Sequence, residues 1–281
     1  MPSPLASIVI PAHNESAAID GLLTCLTAEA AGTWEIVVVC NACSDDTAQK
    51  ARTYTDVVVV ETSTPGKLNA LNLGDRHVRH FPRVYVDADA VVSNAALRHL
   101  VSALDDPLLA AVGSPRLTVD TGGCSRWIQI YFSVWRRLRY AQEAIGSGVY
   151  GLSKAARSRF DEFPDGASAD QLIYRLFTAE ERRITEPGFT YRAPRSIGSL
   201  IRTRARMFAL NAELERLVEL PSSPSVGWRA QGLEDLLRLG PRMVLRVGVF
   251  VGIQLVIRGY GRRLAAKSEI PWNQDRTSRE T

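Results

Sequence analysis

The first 86 residues alternate short apolar runs with stretches of helical periodicity, and this alternation restricts the fold more than any other feature. Runs rich in β-branched residues predict buried strands at 6–10, 35–40, 57–60 and 83–86. The stretches between them predict helices at 15–27, 46–54 and 67–80. Apolar strands separated by helices are typical of a parallel sheet covered on both faces. The sequence therefore predicts an α/β fold.

The pattern beyond residue 90 is less regular but still mixed. It predicts further helices at 94–104, 125–145, 154–160, 168–179 and 200–219, and amphipathic helices within 230–266. A strand is expected at 110–119 and another within 183–191, and the proline-flanked segment 221–224 is expected to be a linker.

Length and composition indicate a globular chain. The 281 residues are 46% hydrophobic and 23% charged, which excludes disordered and fibrous classes and allows one large domain or two small ones. The first apolar strand follows Met1–Pro4 directly, so no signal peptide is expected. The longest apolar stretch, 243–257, is interrupted by Arg246 and Gln254, so no membrane-spanning helix is expected. We expect a cytoplasmic protein whose four cysteines form no disulfide framework.

The net charge of +4 conceals an asymmetry between the two parts of the chain. Residues 1–191 hold 18 basic and 22 acidic residues, whereas residues 192–281 hold 16 basic and 8 acidic residues. A basic C-terminal third is typical of a segment that meets an anionic partner, such as substrate phosphates, a membrane surface or nucleic acid, although a solvated basic face would look the same.

Polar clusters follow three of the predicted strands. They are His13-Asn14-Glu15, Asn41–Asp46 and Asp87-Ala88-Asp89. Ligands of parallel α/β sheets bind beyond the carboxyl ends of the strands, so these clusters are expected to converge on one site.

The cluster at 87–89 offers two carboxylates. Hard oxygen ligands suit Mg²⁺ or Mn²⁺, and such an ion could bridge the phosphates of a nucleotide; a solvated acidic turn is the alternative. Lys67 follows Gly66 at the start of a predicted helix, where phosphate binds readily. Arg202, Arg204 and Arg206 could grip phosphate oxygens or form a solvated basic face.

Two other motifs are interpreted as structural. Cys40 and Cys43 match C-x-x-C, but the chain has no second ligand pair spaced for zinc, and Cys40 closes an apolar strand. Residues 146–151 match G-x-G-x-x-G, but the preceding segment is helical rather than a strand, so a dinucleotide site is rejected.

Together the motifs resemble family 2 glycosyltransferases of the GT-A fold. The resemblance covers residues 6–206 and rests on four segments: 8–15 (IVIPAHNE), 41–47 (NACSDDT), 66–74 (GKLNALNLG) and 87–89 (DAD). It implies a Rossmann-like, mostly parallel sheet with helices on both faces, and a helical C-terminal appendage. It also implies a nucleoside diphosphate sugar donor and Mg²⁺ or Mn²⁺ held by Asp87 and Asp89.

The same resemblance assigns donor-binding positions in both halves of the chain. They are Pro11, Ala12, His13, Asn14, Glu15, Asn41, Ser44, Asp46, Lys67, Asn72, Asp87, Ala88, Asp89, Arg204 and Arg206. Ala42 replaces an aspartate that commonly touches the nucleotide base, which leaves the identity of the base open.

The second half resembles the catalytic and acceptor elements of the family. Segment 168–172 (SADQL) with Arg175 resembles E-D-x-x-L-x-x-R, which makes Asp170 the expected catalytic base of an inverting transfer. Gly146, Ser147 and Gly148 resemble the acceptor-side loop, and Trp135 belongs to an aromatic stretch that could stack on a sugar, natural product or lipid acceptor or pack in the core.

The C-terminal region is basic and amphipathic over 236–263, which suits either contact with the inner face of a membrane or packing against protein. The chain is expected to divide into a nucleotide-sugar-binding half (1–90), an acceptor and catalytic half (91–206) and this C-terminal region (207–281). No nucleic acid partner is expected. Two other interpretations are a nucleotidyltransferase and a non-catalytic nucleotide-sugar-binding protein. The first would need a glycine-rich loop after the first strand, which this sequence lacks, and the second would not need Asp170.

Overall fold

The computed structural model describes residues 3–106, 108–142, 145, 148–164, 169–217, 234–236 and 238–266. The chain forms two compact units. The first comprises Met1–Thr118 and Ile145–Tyr191, and the second comprises Val119–Ala144 and Arg192–Thr281. The predicted linker at 221–224 lies outside the described residues, and the predicted three-part division stays a prediction.

The four predicted strands of the first unit are confirmed and pair side by side. They are β1 (Ala6–Ala12), β2 (Trp34–Asn41), β3 (Val57–Thr62) and β4 (Arg83–Val86). β1 is parallel to both β2 and β4, with Ile8 opposite Ile36 and Val84, and β2 is parallel to β3. Their carboxyl ends therefore share one edge of the sheet.

The expected mostly parallel sheet is confirmed, and it also contains antiparallel pairs. Three further strands, β5 (Val112–Asp120), β6 (Val149–Leu152) and β7 (Arg182–Arg192), extend it to seven in the order β3-β2-β1-β4-β6-β5-β7. β6 runs antiparallel to β4 and to β5. The sequence predicted β5 and β7 but missed β6, because its four residues follow a glycine-rich segment and include Gly151.

The helices of the first unit fall close to the predicted ranges. They are α1 (Ile19–Thr27), α2 (Thr47–Ala51), α3 (Lys67–His77), α4 (Asn94–Leu104), α7 (Lys154–Arg157) and α8 (Ala169–Leu176). α1 starts four residues later than predicted and α3 ends three residues earlier. The predicted helix 125–145 is α5 (Arg126–Trp135) followed by turns and the short α6 (Arg139–Gln142).

The core of the first unit lies between the sheet and its helices. Ile8, Ile10 and Val38 are fully buried among the apolar sides of α1 and α4. α3 covers the other face of β1, where Gly74 provides the close approach: a Cβ there would lie 2.4 Å from Val9 Cγ1. This packing fixes the start of α3 relative to the carboxyl edge of the sheet.

Glu35 ties the amino end of the sheet together. Its carboxylate accepts hydrogen bonds from the Ser7 hydroxyl and from the backbone N–H groups of Arg79 and His80. Burial alone would raise the pKa of Glu35, but these hydrogen bonds lower it to about 2.

The second unit is helical. α5 packs with α9 (Ile197–Leu217) and α10 (Val244–Ala265), the latter preceded by a 3₁₀ turn at Pro241–Met243. The rings of Tyr131 on α5 and Phe250 on α10 lie 4.9 Å apart.

The segment Pro241–Ala265 is long and apolar enough to cross a membrane, with a mean hydropathy of 1.5 over its best window, of which 17% is buried. The sequence analysis expected no spanning helix because Arg246 and Gln254 interrupt the stretch 243–257, and that expectation stays a prediction.

Candidate functional site

The loops that follow β1 and β2 interlock at the carboxyl edge of the sheet. Asn14 Oδ1 accepts hydrogen bonds from the backbone N–H of Ser44 (2.8 Å) and from its hydroxyl (3.3 Å). His13 Nδ1 donates to the carbonyl oxygen of Asn41 over 2.7 Å. Asn14 (φ 53°) and Ala42 (φ 47°) are both left-handed, a strained conformation for residues other than glycine. The structure thus brings the predicted residues of the first two clusters together in one rigid loop pair.

Asn41 is a positioning residue in this loop pair. Its side chain is buried, its Nδ2 donates to the carbonyl oxygen of Ala12 (2.9 Å), and its Oδ1 accepts from the backbone N–H of Gly66 (3.2 Å). One amide therefore joins the ends of β1 and β2 to the start of α3. Pro11 and Ala12, also predicted donor positions, are buried at the carboxyl end of β1.

Asp45 holds the turn that leads into α2. Its carboxylate accepts from the backbone N–H of Ser16 (3.2 Å) and of Thr47 (3.1 Å). Burial raises the pKa of Asp45, but the hydrogen bonds outweigh burial and the pKa is lowered overall. The neighbouring predicted positions are close by: the Glu15 N–H donates to Thr47 Oγ1, and Asp46 directly precedes α2.

Lys67 and Asp87 meet at the centre of this edge. The Lys67 ammonium lies 2.6 Å from Asp87 Oδ1, and both side chains are about one-third exposed. Lys67 begins α3 after Gly66, whose φ of 135° permits the sharp entry into the helix. Asp87 directly follows β4. The contact therefore joins the start of α3 to the end of β4.

Gly148 lies beside the same aspartate. The backbone N–H of Asp87 donates to the Gly148 carbonyl oxygen over 2.7 Å, and Gly148 has a φ of 101°. Ala88 is buried and Asp89 is exposed, so the D-x-D motif directs one carboxylate towards solvent. The other predicted acceptor-loop residues, Gly146 and Ser147, lie outside the described residues.

Cys43, which was interpreted as structural, lies beside the loop after β1. The backbone N–H of Asn14 donates to Cys43 Sγ over 3.4 Å. A hydrogen bond from the Cys40 thiol, opposed by burial, lowers the pKa of Cys43 to about 6. Both cysteines line an open cavity of about 420 Å³ together with Ala42, Glu61, Thr62 and Ser63.

A buried ionic network lies behind the Lys67–Asp87 pair and was also missed. The Asp75 carboxylate on α3 accepts from the Tyr85 hydroxyl on β4 (2.9 Å) and from Arg157 Nε on α7 (2.7 Å), and Arg83 Nη1 lies 3.1 Å away. Burial and the nearby carboxylate raise the pKa of Tyr85 well above its ordinary value. Position 75 shares the buried face of α3 with Leu68 and Leu71, and an acidic residue on such a face is the signal that could have revealed it.

Asn72 is fully engaged with the backbone. Its Nδ2 donates to the Phe163 carbonyl oxygen (2.9 Å), and its Oδ1 accepts from the Phe163 N–H (2.8 Å). This double hydrogen bond fastens α3 to the segment after α7. Its assignment as a donor-binding residue stays a prediction.

The remaining predicted residues are described within their own parts of the chain. Asp170 is the second residue of α8, and its side chain lies outside the described part. Trp135, Arg204 and Arg206 belong to the second unit, where the Arg204 guanidinium carbon lies 5.2 Å from the centre of the Trp135 ring. Trp135 is buried there, as the core-packing alternative predicted. Within the described residues, no three His, Cys, Asp or Glu side chains gather into a metal site. The assignment of Asp87 and Asp89 to a metal ion stays a prediction.

Comparison with known proteins decides the family. The sequence matches glycosyl transferase family 2 over residues 7–161, more than half of the chain. The chain belongs to this family. The matched range contains both loops, the start of α3 and the D-x-D motif. A search of curated protein sequences gave no match.

Solved structures share the fold of this family 2 chain. A mannosyltransferase, PcManGT from Pyrobaculum calidifontis in complex with GDP-Man and Mn²⁺, is similar at 21% identity and a TM-score of 0.61, over 94% of this chain and 84% of that one. Glucosyl-3-phosphoglycerate synthase from Mycobacterium tuberculosis, in complex with Mn²⁺, UDP and glucosyl-3-phosphoglycerate, is similar at 20% identity and a TM-score of 0.56. The match covers 78% of this chain and 81% of that one. Residues 1–349 of S. aureus TarS are similar at 16% identity and a TM-score of 0.52, over 92% of this chain and 82% of that one. These similarities establish the GT-A fold.

Proposed function

We propose that this glycosyltransferase moves a sugar from a nucleoside diphosphate sugar to an acceptor hydroxyl and inverts the anomeric carbon. The observation that carries the proposal is the meeting of Lys67 and Asp87 at the edge where the two interlocked loops end. A cation, carboxylates and rigid backbone around one opening suit a diphosphate with a nucleoside attached.

The donor is held from two sides. The loops at His13–Glu15 and Asn41–Asp46 take the nucleoside, and Lys67 at the start of α3 takes the diphosphate, since an ammonium and a helix start both favour anionic oxygens. For Arg204 and Arg206, the assignment to the diphosphate rests on the family resemblance of the sequence alone. The cavity beside Ala42 is the proposed place of the base, and its short side chain leaves room there.

The residues present fit a divalent metal ion. Asp87 and Asp89 offer hard carboxylate oxygens, and Mg²⁺ and Mn²⁺ are commonly held by one or two carboxylates together with substrate phosphates. The exposed Asp89 can reach a ligand in solvent. When bound, the ion would supply positive charge that stabilises the departing diphosphate. Structures of similar fold were solved with Mn²⁺ and nucleotide ligands, which supports the assignment.

Asp170 is the proposed catalytic base. It takes the proton from the acceptor hydroxyl, whose oxygen forms the new bond to the sugar C1 while the bond from C1 to the diphosphate oxygen breaks. Correct positioning of such a base contributes roughly 10²–10⁴-fold to the rate. Gly146, Ser147 and Gly148 form the acceptor side, whereas Trp135 is buried and takes the core-packing role. The acceptor is a lipid-linked molecule, a natural product or a glycan.

The proposal places the enzyme in the cytoplasm, with peripheral attachment to the inner face of the membrane through residues 236–263. The support is the basic and apolar composition of that segment and the exposure of α10.

The test is hydrolysis of a panel of nucleotide sugars with and without Mn²⁺ by the full chain and by Asp170→Asn. We expect one donor to be hydrolysed only with metal, with the released sugar first appearing in the inverted anomeric form by NMR. Asp170→Asn should bind that donor as tightly as the wild type and hydrolyse it at least about 100-fold more slowly. Release of a nucleoside monophosphate would instead indicate a nucleotidyltransferase, and near-wild-type turnover by the variant would refute the assignment of the base.

A further inference from the structure

α10 has one buried stripe that holds it in the second unit. Phe250, Ile253 and Ile257 recur at helical spacing and are buried, and the stripe continues through Gly261 and Leu264. Phe250 stacks near Tyr131 of α5, and a Cβ at Gly261 would lie 2.7 Å from Phe208 of α9. This side of the helix is therefore fully used by protein contacts.

The opposite side of α10 is apolar and faces solvent. The exposed aliphatic side chains, with their exposed fractions, are Val244 (68%), Leu245 (82%), Val251 (38%), Leu255 (64%) and Val256 (53%). A Cβ added at Gly248, Gly252 or Gly259 would meet no atom within 4 Å among the described residues. An exposed apolar helix face of this length marks a surface that another phase or partner covers.

Charge at both ends of the helix indicates what covers it. Residues 247–257 carry no charge, whereas arginines flank them at 238, 242, 246, 258, 262 and 263. No acidic residue occurs between 236 and 266. Basic side chains around an apolar strip complement anionic headgroups above acyl chains, and each arginine near such a surface adds attraction to it.

The packing of α10 favours a helix that lies in the interface over one that spans the bilayer. Its length and hydropathy would permit spanning. However, α9 packs along it and carries Arg202, Arg204 and Arg206. Spanning would take these charges towards the hydrocarbon, where an arginine is costly to bury. Lying flat exposes only the outer face of α10 to lipid.

We propose that α10 docks on an anionic phospholipid bilayer, parallel to its surface, with the face formed by Val244, Leu245, Val251, Leu255 and Val256 inserted below the headgroups. This inference rests on the proposed function, whose membrane contact through 236–263 it assigns to one helix face and one class of lipid. α5 and α9, which carry the predicted acceptor and diphosphate residues, are thereby held next to the bilayer.

The test is flotation of the full chain with vesicles of phosphatidylcholine alone or mixed with equal phosphatidylglycerol. Wild-type protein is expected to float with the mixed vesicles and to be released by high salt. The double variant Leu245→Ser/Leu255→Ser removes exposed side chains only, so it should fold normally and bind about tenfold more weakly or worse. Leu108→Ser, which changes an 88% exposed leucine of the first unit, is the matched control and should float as the wild type does.

Three results would overturn the proposal. They are equal flotation of the double variant, absence of wild-type flotation with mixed vesicles, and cellular membrane association that resists alkaline carbonate extraction, as a spanning helix would. A dimer that the double variant abolishes, without vesicle binding, would assign the face to a second copy instead. Donor hydrolysis is measured on the same samples without vesicles, so a failure of docking and a failure of the catalytic proposal give separate readouts.

Discussion

Replacing Asp75 by alanine should destabilise the first unit strongly, because three cationic or hydroxyl partners converge on its buried carboxylate. Arg157 Nε lies at 2.7 Å, Arg83 Nη1 at 3.1 Å and the Tyr85 hydroxyl at 2.9 Å. The side chains of Arg157 and Arg83 are only 11% and 14% exposed, so Asp75→Ala leaves two guanidinium groups poorly solvated and without their carboxylate. Removing one partner of a buried ion pair costs about 3–5 kcal/mol.

The assay is urea and thermal unfolding followed by circular dichroism. For a unit of this size, the expected loss lowers Tm by about 6–20 °C. The matched control is Glu162→Gln, which removes one partner of the exposed pair with Arg76, whose side chains are 61% and 57% exposed. That change should stay within about 0.5 kcal/mol of the wild type. A loss below about 1 kcal/mol for Asp75→Ala, similar to the control, would refute the claim that this network supports the site.

Three further predictions follow from single residues. Because hydrogen bonds lower the pKa of Glu35 from 4.5 to about 2, the charged carboxylate stabilises the fold above pH 4.5 by about 3 kcal/mol, and this stabilisation is lost as the pH falls towards 2. Glu35→Gln should therefore unfold more easily at pH 7 and approach the wild type near pH 2, and a constant difference would contradict this. Cys43, with its pKa of about 6, should react with iodoacetamide at pH 7 faster than Cys25 in peptide mapping, with half-maximal rate near pH 6; equal rates would be contrary evidence. Gly148→Ala forces an L side chain to a φ of 101° and should cost about 1–3 kcal/mol in urea unfolding, whereas an unchanged midpoint would argue against strain there.

The sequence revealed the parallel half of the fold well because its strands are continuous apolar runs. β1 to β4 match their predicted ranges to within two residues, and α4 matches completely. The antiparallel half was harder, since β6 is four residues long and obtains its stability from pairing with β4 and β5 rather than from a pattern of its own.

The candidate site was predictable to the extent that it depends on topology. The clusters after β1, β2 and β4 were expected at one edge because parallel strands end there, and the loops after β1 and β2 do interlock. Asn72 and Asp75 show the limit of that reasoning. Both lie on α3 and contact residues about 80–90 positions further along the chain: Asn72 contacts Phe163, and Asp75 contacts Arg157. These contacts depend on tertiary packing, which no local sequence pattern shows.

The central claim is that the carboxyl edge of the parallel strands binds a metal–nucleoside diphosphate. Calorimetric titration of GDP and of UDP, each with Mn²⁺, into the full chain and into Asp89→Asn tests it most directly. Asp56→Asn, which changes an exposed aspartate before β3 at the opposite edge, is the control. We predict that one nucleotide binds the wild type and the control equally, requires Mn²⁺, and binds Asp89→Asn at least about tenfold more weakly. Equal affinity for Asp89→Asn, or binding that is indifferent to Mn²⁺, would contradict the account.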